Sequence, residues 1–149
     1  MKKTDLAYIA GIVDGEGYVG IKRSKPYECQ GRTTPGYHPR IQVRMVDEPA
    51  IRFLARSLGG WYYKEKPHCN NGRPLYCYQA SDRSALRILG YLRPFLKVKR
   101  RQASLLFRLA YVRRHKRRVG HNTTHPSTVN QCDALRLACR KLNGLARFQ

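Results

Sequence analysis

The stretch that decides the fold runs Ile9-Ala10-Gly11-Ile12-Val13-Asp14-Gly15-Glu16-Gly17. Its apolar residues recur at helical spacing from Leu6 onward, which predicts a helix over about residues 4–14. Asp14 and Glu16 then fall at the C-terminal end of that helix, where exposed carbonyls make the local field negative and disfavour an acid. Two interpretations stand at this point. The glycines serve only a tight turn, or carboxylate and carbonyl oxygens here bind a hard divalent cation.

The same helix carries small residues that would let it pack closely against a second copy. Ala10, Gly11 and Gly15 are small, and the two glycines are spaced i, i+4. Small residues at that spacing allow two helix backbones to approach one another. Two copies crossing there would bring both Glu16 side chains together, which predicts a paired-carboxylate metal site on a two-fold axis.

Outside this stretch the pattern switches between strand and helix periodicity. It predicts strands over 18–24, 40–45, 61–66 and 75–80, and further helices over 47–58, 82–92, 97–114 and from 128 onward. The order α-β-β-α-β-β-α-α-α predicts an α+β fold in which helices cover one face of a four-stranded antiparallel sheet. We expect one domain over 1–149, with a core of about 4–118 and a helical segment of about 119–149.

The chain is strongly basic. Its 149 residues include 30 Lys and Arg against nine Asp and Glu, a net charge of +21. Since 42% of the residues are apolar, this is a folded domain whose surface favours a nucleic acid over a membrane or a purely structural role. No apolar run is long enough to span a membrane, and the N-terminus does not resemble a secretory signal. Five cysteines without a CxxC pair predict reduced thiols and an intracellular compartment.

One face of the predicted sheet and its loops collects basic and aromatic side chains. We expect it to bind DNA, because Arg, Lys and Gln reach base edges in the major groove, where a β-ribbon fits. The alternative is a merely solvated face, but such a face mixes charges, and alternation turns Glu65 toward the helices or a sheet edge. The predicted DNA-binding residues are Lys22, Ser24, Lys25, Arg32, Arg40, Gln42, Arg44, Lys64, Lys66, Arg73, Tyr76 and Tyr78.

Helix capping explains most of the acids. Those at predicted helix N-termini, where a carboxylate accepts from free N–H groups, are Asp5, Asp47, Glu48, Asp82 and Asp133. Glu28 lies in the long loop between the first two strands. Asp14 and Glu16 have no such structural explanation, which concentrates any acid-dependent chemistry at the end of the first helix.

Two segments together resemble a known family. The stretch from Ile9 to Gly17 resembles the LAGLIDADG motif of homing endonucleases, and Arg93-Pro94-Phe95-Leu96-Lys97-Val98-Lys99-Arg100-Arg101-Gln102 is similar to the family's PFLKxKxxQ segment. The resemblance implies the αββαββα homing-endonuclease fold over about 4–114, with a DNA-binding sheet. With one motif copy, it implies the homodimeric branch: Mg²⁺-dependent enzymes of intron homing that cut both strands of a long near-palindromic DNA target. Ca²⁺ or Mn²⁺ would substitute in the metal site.

The resemblance also implies roles for single residues. Glu16 matches the metal-binding acid of the motif, and the carbonyl of Gly15 would be a further ligand. Lys99 matches the basic residue that stabilises charge near the scissile phosphate. Asp14 matches an acid that is structural at the helix end, and it would lie with Ala10 and Gly11 at the dimer interface.

One position departs from the family pattern and leaves an alternative function open. Many homodimeric members carry a Gln near the end of the second strand, where this chain has Gln42-Val43-Arg44-Met45. Either Arg44 takes over that catalytic role or the water network differs. The departure favours a binding protein of the same fold, such as an intron RNA maturase or a DNA-binding regulator. A basic structural RNA-binding protein of the ribosomal kind would explain the charge but not Asp14 and Glu16.

Overall fold

The computed structural model describes residues 1–26, 33–65, 73–119 and 123–145. The elements follow one another in the predicted order: α1 (Lys3–Glu16), β1 (Gly17–Ser24), β2 (Gly36–Met45), α2 (Glu48–Leu58), β3 (Trp61–Glu65), β4 (Leu75–Ser81), α3 (Asp82–Leu92), α4 (Arg100–Arg114) and α5 (Pro126–Leu145). The α+β class is therefore confirmed. None of these helices combines the length and the apolar character needed to cross a membrane.

The four strands form one antiparallel sheet in the order β1-β2-β4-β3. Gly17 pairs with Val43, and Tyr62 pairs with Tyr78, so the register is set along both hairpins. One face packs on the helices and supplies the core with side chains such as Ile41 and Val43, both fully buried. The other face carries mostly polar and aromatic side chains. We call it the open face.

The junction between α1 and β1 needs glycine. The chain turns so tightly there that a Cβ at Gly17 would lie 2.5 Å from the carbonyl oxygen of Val13. The strand therefore begins directly after the helix, with no linker. This places the C-terminal end of α1 at the end of the sheet, beside the last residues of β2.

Helix α2 begins and ends where the sequence predicts. The Asp47 carboxylate accepts a hydrogen bond from the backbone N–H of Ala50 at 2.9 Å, and Pro49 occupies the first turn. Gly59 and Gly60 end the helix with φ values of 72° and 105°, which favour glycine because a Cβ is strained there.

Strand β2 begins earlier than the sequence suggests. We predicted a start at Arg40, because Gly36 and Pro39 are typical of a loop. Pro39 pairs with Ile21 of β1, whereas the pairing with β4 starts only at Arg40. The second side of β2 has no strand partner at Pro39, so the missing N–H of proline leaves no ladder bond unmade.

Helix α5 covers the outer edge of the sheet. Its Cys139 thiol and its Asn143 side-chain amide both donate to the backbone carbonyl of Val19 in the edge strand β1, at 3.5 and 3.0 Å. Cys132 and Cys139 are buried free thiols, as predicted. The helix starts at Pro126, two residues before the predicted start at residue 128, because the His125 ring accepts from the N–H of Ser127.

Candidate active site and nucleic-acid interface

Asp14 joins the two motifs that stand more than 80 residues apart in the sequence. One carboxylate oxygen accepts from the backbone N–H groups of Lys97 and Val98 at 2.6 and 3.2 Å, and the other from that of Lys99 at 2.9 Å. These N–H groups belong to the turn immediately before α4, so Asp14 holds that turn in place from across the molecule. The carboxylate that is unfavourable for its own helix is thus used by another one.

Lys99 lies against the end of α1. Only 6% of the residue is exposed, and its ammonium donates to the backbone carbonyl of Asp14. That carbonyl belongs to the last turn of α1, where carbonyl groups lack partners within the helix. Burial lowers the pKa of Lys99, and the negative charges of Asp14 and Glu16 oppose that shift. The cation of Lys99 therefore lies close to two acids, Asp14 and Glu16, where α1 ends and β1 begins.

Glu16 is the acid that the fold leaves unused. Within the described parts of the chain, every other Asp or Glu accepts a hydrogen bond or forms an ion pair, whereas the exposed Glu16 does neither. It is followed directly by Gly17 and preceded by the exposed Gly15, whose carbonyl lies in the last helical turn. An exposed carboxylate beside free carbonyls fits the oxygen ligands that Mg²⁺ and Ca²⁺ prefer.

One chain supplies too few of these ligands for a closed metal site. Among residues 1–26, 33–65, 73–119 and 123–145, no cluster of three or more His, Cys, Asp or Glu is placed to hold a metal ion. Glu16 and the carbonyl of Gly15 would need further oxygen atoms from water, phosphate or a second chain.

The open face carries a mixture of polar and aromatic side chains. Strand register assigns to it Tyr18, Lys22, Ser24, His38, Arg40, Gln42, Arg44, Trp61, Tyr63, Glu65, Cys77, Gln79 and Ser81. Cross-strand contacts hold several of them in place. Arg40 donates to the side-chain oxygen of Gln79 at 2.5 Å, and the His38 ring lies 3.5 Å from the hydroxyl of Ser24.

Comparison with solved structures identifies the fold that this sheet and its helices form. Neither protein-family models nor curated proteins match the sequence. The homing endonuclease I-CvuI, solved with the I-CreI target and Mg, is 20% identical, with a TM-score of 0.72 over 94% of this chain and 82% of that one. The archaeal intron-encoded homing endonuclease I-Vdi141I, complexed with DNA, is 16% identical, with a TM-score of 0.72 over 95% of this chain and 86% of that one.

The chain has the LAGLIDADG homing-endonuclease fold. The LAGLIDADG homing endonuclease I-SmaMI bound to cleaved DNA has the same fold at 20% identity, with a TM-score of 0.66 over 88% of this chain but only 42% of that one. This chain thus spans less than half of I-SmaMI, but most of I-CvuI and I-Vdi141I.

Three residues that we predicted on the DNA-binding surface of this homing-endonuclease fold lie on its other side. Tyr78 is fully buried and donates to the carbonyl of Gly59 at 2.7 Å, and burial raises its pKa to about 12. Tyr76 packs on the core, and Lys64 pairs with it, so both share the helix-covered face. We had assigned the alternating side chains of β3 and β4 to the wrong faces of the sheet. A tyrosine can bury its ring and still satisfy its hydroxyl at a helix end, so its polar group does not place it on the exposed face.

The observed strand register places on the open face several residues that the prediction missed. The most prominent are Trp61, which is 61% exposed, together with Tyr63, Gln79 and His38. The polar character of Gln79 and Glu65 could have revealed the phase, since an uncharged or charged polar side chain is harder to bury than a tyrosine.

The predicted dimer surface of α1 also needs a correction. Ala10 is fully buried in the core and cannot contact a second chain. Ala7, Gly11 and Gly15 are exposed instead, and their spacing of four residues makes a stripe of small residues along α1. The carboxylate of Asp14 is occupied by the turn before α4, as described above.

Arg44 lies on the predicted face of the sheet, but the sequence did not predict the position of Glu65 beside it. Glu65 lies on the open face rather than toward the helices, and its Oε1 is 2.9 Å from Nε of Arg44. The polar contacts of Arg44 thus run to Glu65, whereas those of Lys99 run to Asp14. Met45, at the end of β2, packs against the core.

The remaining predicted DNA-binding residues stay predictions. Lys22 lies exposed on β1, and Lys25 and Arg73 are exposed outside the strands. Arg32 and Lys66 lie outside the described residues.

Proposed function

We propose that this chain is a site-specific, divalent-metal-dependent DNA endonuclease that acts as a homodimer on a long, near-palindromic target. The observation that carries the proposal is Glu16, the described acid without a partner, beside the buried cation of Lys99. Structures of the same fold, I-CvuI among them, were solved with DNA targets and with Mg or Ca.

The chain's own residues divide the work of phosphodiester hydrolysis. Glu16 and the Gly15 carbonyl would hold Mg²⁺, which lowers the pKa of a bound water and neutralises charge on the phosphate. Lys99 holds a positive charge close to the same position and would stabilise the charge that develops on the phosphate oxygens. Asp14 acts through Lys99, because its carboxylate fixes the backbone on which that lysine stands.

A second copy would complete the site. The exposed stripe of Ala7, Gly11 and Gly15 lets two α1 helices cross closely, and this would bring one Glu16 from each chain together. Each open face would then lie in the major groove of one half-site, which is wide enough for a β-ribbon. Two identical half-sites related by the two-fold axis explain why the target would be near-palindromic.

The decisive experiment compares binding and cutting on one selected target. Target DNA is recovered from a random duplex library with the purified protein in Ca²⁺, and it is then incubated with Mg²⁺ or with EDTA. We expect Mg²⁺-dependent cuts in both strands. Glu16→Gln should lower the cutting rate by roughly 100-fold or more while leaving target affinity within a few-fold, since Gln is a poor cation ligand.

Glu48→Gln is the matched control. It removes the same charge from an acid that is paired with Arg52 on α2, and cutting should be unchanged. Selection of a target that is bound but not cut by the wild-type protein in Mg²⁺ or Mn²⁺ would contradict the nuclease and favour a binding protein of the same fold.

A further inference from the structure

The open face contains one acid among its described residues, Glu65, and its presence there needs an explanation. A carboxylate facing DNA repels phosphates and costs free energy when DNA removes water from it. Glu65 is nevertheless held in place: its side chain is only 19% exposed, and it is covered by Arg44, whose side chain is 54% exposed.

Glu65 forms an ion pair with one particular nitrogen of Arg44. Its Oε1 lies 2.9 Å from Nε of Arg44, and the Tyr63 hydroxyl donates to the same oxygen at 3.5 Å. With its carboxamide oxygen facing Arg44, Gln42 accepts from Nε at 2.9 Å and from Nη2 at 3.3 Å. These contacts use the inner edge of the guanidinium and leave donors of Nη1 and Nη2 for another partner.

Pairing of neighbouring strands does not explain this contact. Arg44 belongs to β2 and Glu65 to β3, and β4 runs between them. The two side chains meet above Cys77 of β4, the cross-strand partner of Arg44, which is fully buried. A guanidinium held by two side chains has less rotamer freedom to lose when a ligand binds, which lowers the entropic cost of recognition.

We infer that Glu65, together with Gln42, positions Arg44 to recognise a guanine in the major groove of each half-site. This inference rests on the proposed function. Two parallel N–H donors of arginine match the O6 and N7 acceptors of guanine, and no other base presents that pair in the major groove. Arg44 reads the base, and Glu65 is a positioning residue.

The sheet register also predicts the position of this guanine in the DNA target. Val43 pairs with Gly17, so Arg44 lies one residue beyond the last pair of β1 and β2, at the end of the sheet where Glu16 emerges from α1. The guanine belongs among the base pairs of the half-site that are nearest to the cleaved phosphates. Lys22, five residues beyond Gly17 on β1, would lie over the outer base pairs instead.

The test is the base preference of variants selected on random duplex DNA. The wild-type selection defines the half-site, and Arg44→Ala identifies the position whose preference for guanine disappears. Glu65→Ala should weaken that preference about tenfold at the same position, with the other positions unchanged, because a single bidentate contact carries about that much discrimination. Glu65→Gln, which keeps the size of the side chain, should have an intermediate effect.

Glu48→Ala provides the matched control, since it removes the same charge from an acid paired with an arginine outside the open face. Its base preference should equal that of the wild type, and circular dichroism and thermal unfolding identify any variant that fails to fold. If Glu65→Ala keeps the full guanine preference, Glu65 does not position Arg44.

Two further results would overturn the inference. A uniform loss of affinity over all sequences in Arg44→Ala would mean that Arg44 contacts a phosphate rather than a base. A loss of cutting rate in Glu65→Ala with an unchanged base preference would mean that Arg44 serves catalysis. In each of these cases the wild-type protein still selects and cuts a target, whereas failure of the proposed function would leave no cut target in the wild-type experiment.

Discussion

Asp14 shows how a single residue can be unfavourable for its own element and necessary for the site. An acid at a helix C-terminus interacts poorly with the helix dipole. Here it accepts three hydrogen bonds from the turn before α4, including that of the Lys99 backbone. The position of Lys99, the lysine that we propose for catalysis, therefore depends on the Asp14 carboxylate, which holds its backbone.

Replacing Asp14 should damage both stability and activity. Asp14→Ala leaves those N–H groups to water, and we expect the free energy of unfolding to fall by about 2 kcal/mol in urea denaturation. Cutting should fall as well, because Lys99 is no longer held against the end of α1. Asp47→Ala is the control. It removes the carboxylate that caps the start of α2, should lower the free energy of unfolding by about 1 kcal/mol, and should leave cutting intact. Equal cutting by the two variants would contradict the positioning role of Asp14.

Some functional residues can be found from the sequence, whereas the contact of Glu65 with Arg44 cannot. Local reasoning singled out Glu16, an acid at the end of a predicted helix, whereas Lys99 was indicated only by the resemblance of its segment to the family's PFLKxKxxQ segment. It did not identify the Arg44–Glu65 pair, because that contact bridges two strands separated by a third.

At the level of elements, an acid joins strand β2 to helices α3 and α4. Asp82, at the start of α3, lies 2.9 Å from Nδ1 of His38 on β2 and 2.9 Å from Nη1 of Arg113 on α4. Its φ of 49° is a left-handed value. Burial alone would raise the pKa of Asp82, but hydrogen bonds from Arg113 and His38 outweigh it and hold the pKa below its usual value of 3.8.

This ion pair should make stability depend on pH. Because the folded-state pKa of Asp82 is lowered, its ionised form stabilises the protein above the unfolded-state value, and that contribution is lost as the pH falls through the folded-state value. Asp82→Asn should reduce the free energy of unfolding by about 1 kcal/mol at pH 7, a small figure because the side chain is 40% exposed. Asparagine tolerates a left-handed φ, so the backbone is not strained.

Urea denaturation at pH 7 and at about pH 3 measures the effect. The difference between the wild type and Asp82→Asn should shrink at the lower pH, because a growing fraction of the Asp82 carboxylate is protonated there. A difference that stays constant between the two pH values would show that packing rather than charge is responsible.

For the whole molecule, the central question is whether two copies assemble through α1. Gly11 lies in the middle of the exposed stripe of small residues, and a Cβ there would have no atom within 4 Å. A larger side chain at Gly11 is therefore accommodated within one chain but would separate two crossing helices. This makes it possible to test the dimer without disturbing the fold.

Gly11→Leu should leave the monomer folded, and more stable by up to about 1 kcal/mol, because glycine is a poor helix residue. Sedimentation equilibrium should show that the variant stays monomeric at concentrations where the wild type is a dimer, and cutting of both strands should be lost. Gly90→Leu is the control: Gly90 is also exposed in a helix with open space around it. A dimeric Gly11→Leu variant would exclude assembly through this stripe.

The net charge of +21 takes on a clearer distribution at this scale. Some of the basic side chains are paired with acids, since ion pairs with Asp or Glu are formed by Arg23, Arg44, Arg52, Arg113 and Arg136. On the open face, Lys22 and Arg40 add positive charge among polar side chains, in keeping with a surface that reads bases.

The sequence by itself determined the order of the elements, the ends of α2, and the place of Glu16 at the end of α1. These depend on periodicity, capping and turn residues within a few positions, which are local properties of the chain. The tertiary structure decided which tyrosines are buried, which acid holds the turn before α4, and which carboxylate pairs with Arg44. Each of these depends on strand register and on elements that are distant in sequence, and a shift of one residue in register turns every side chain of a strand to the opposite face.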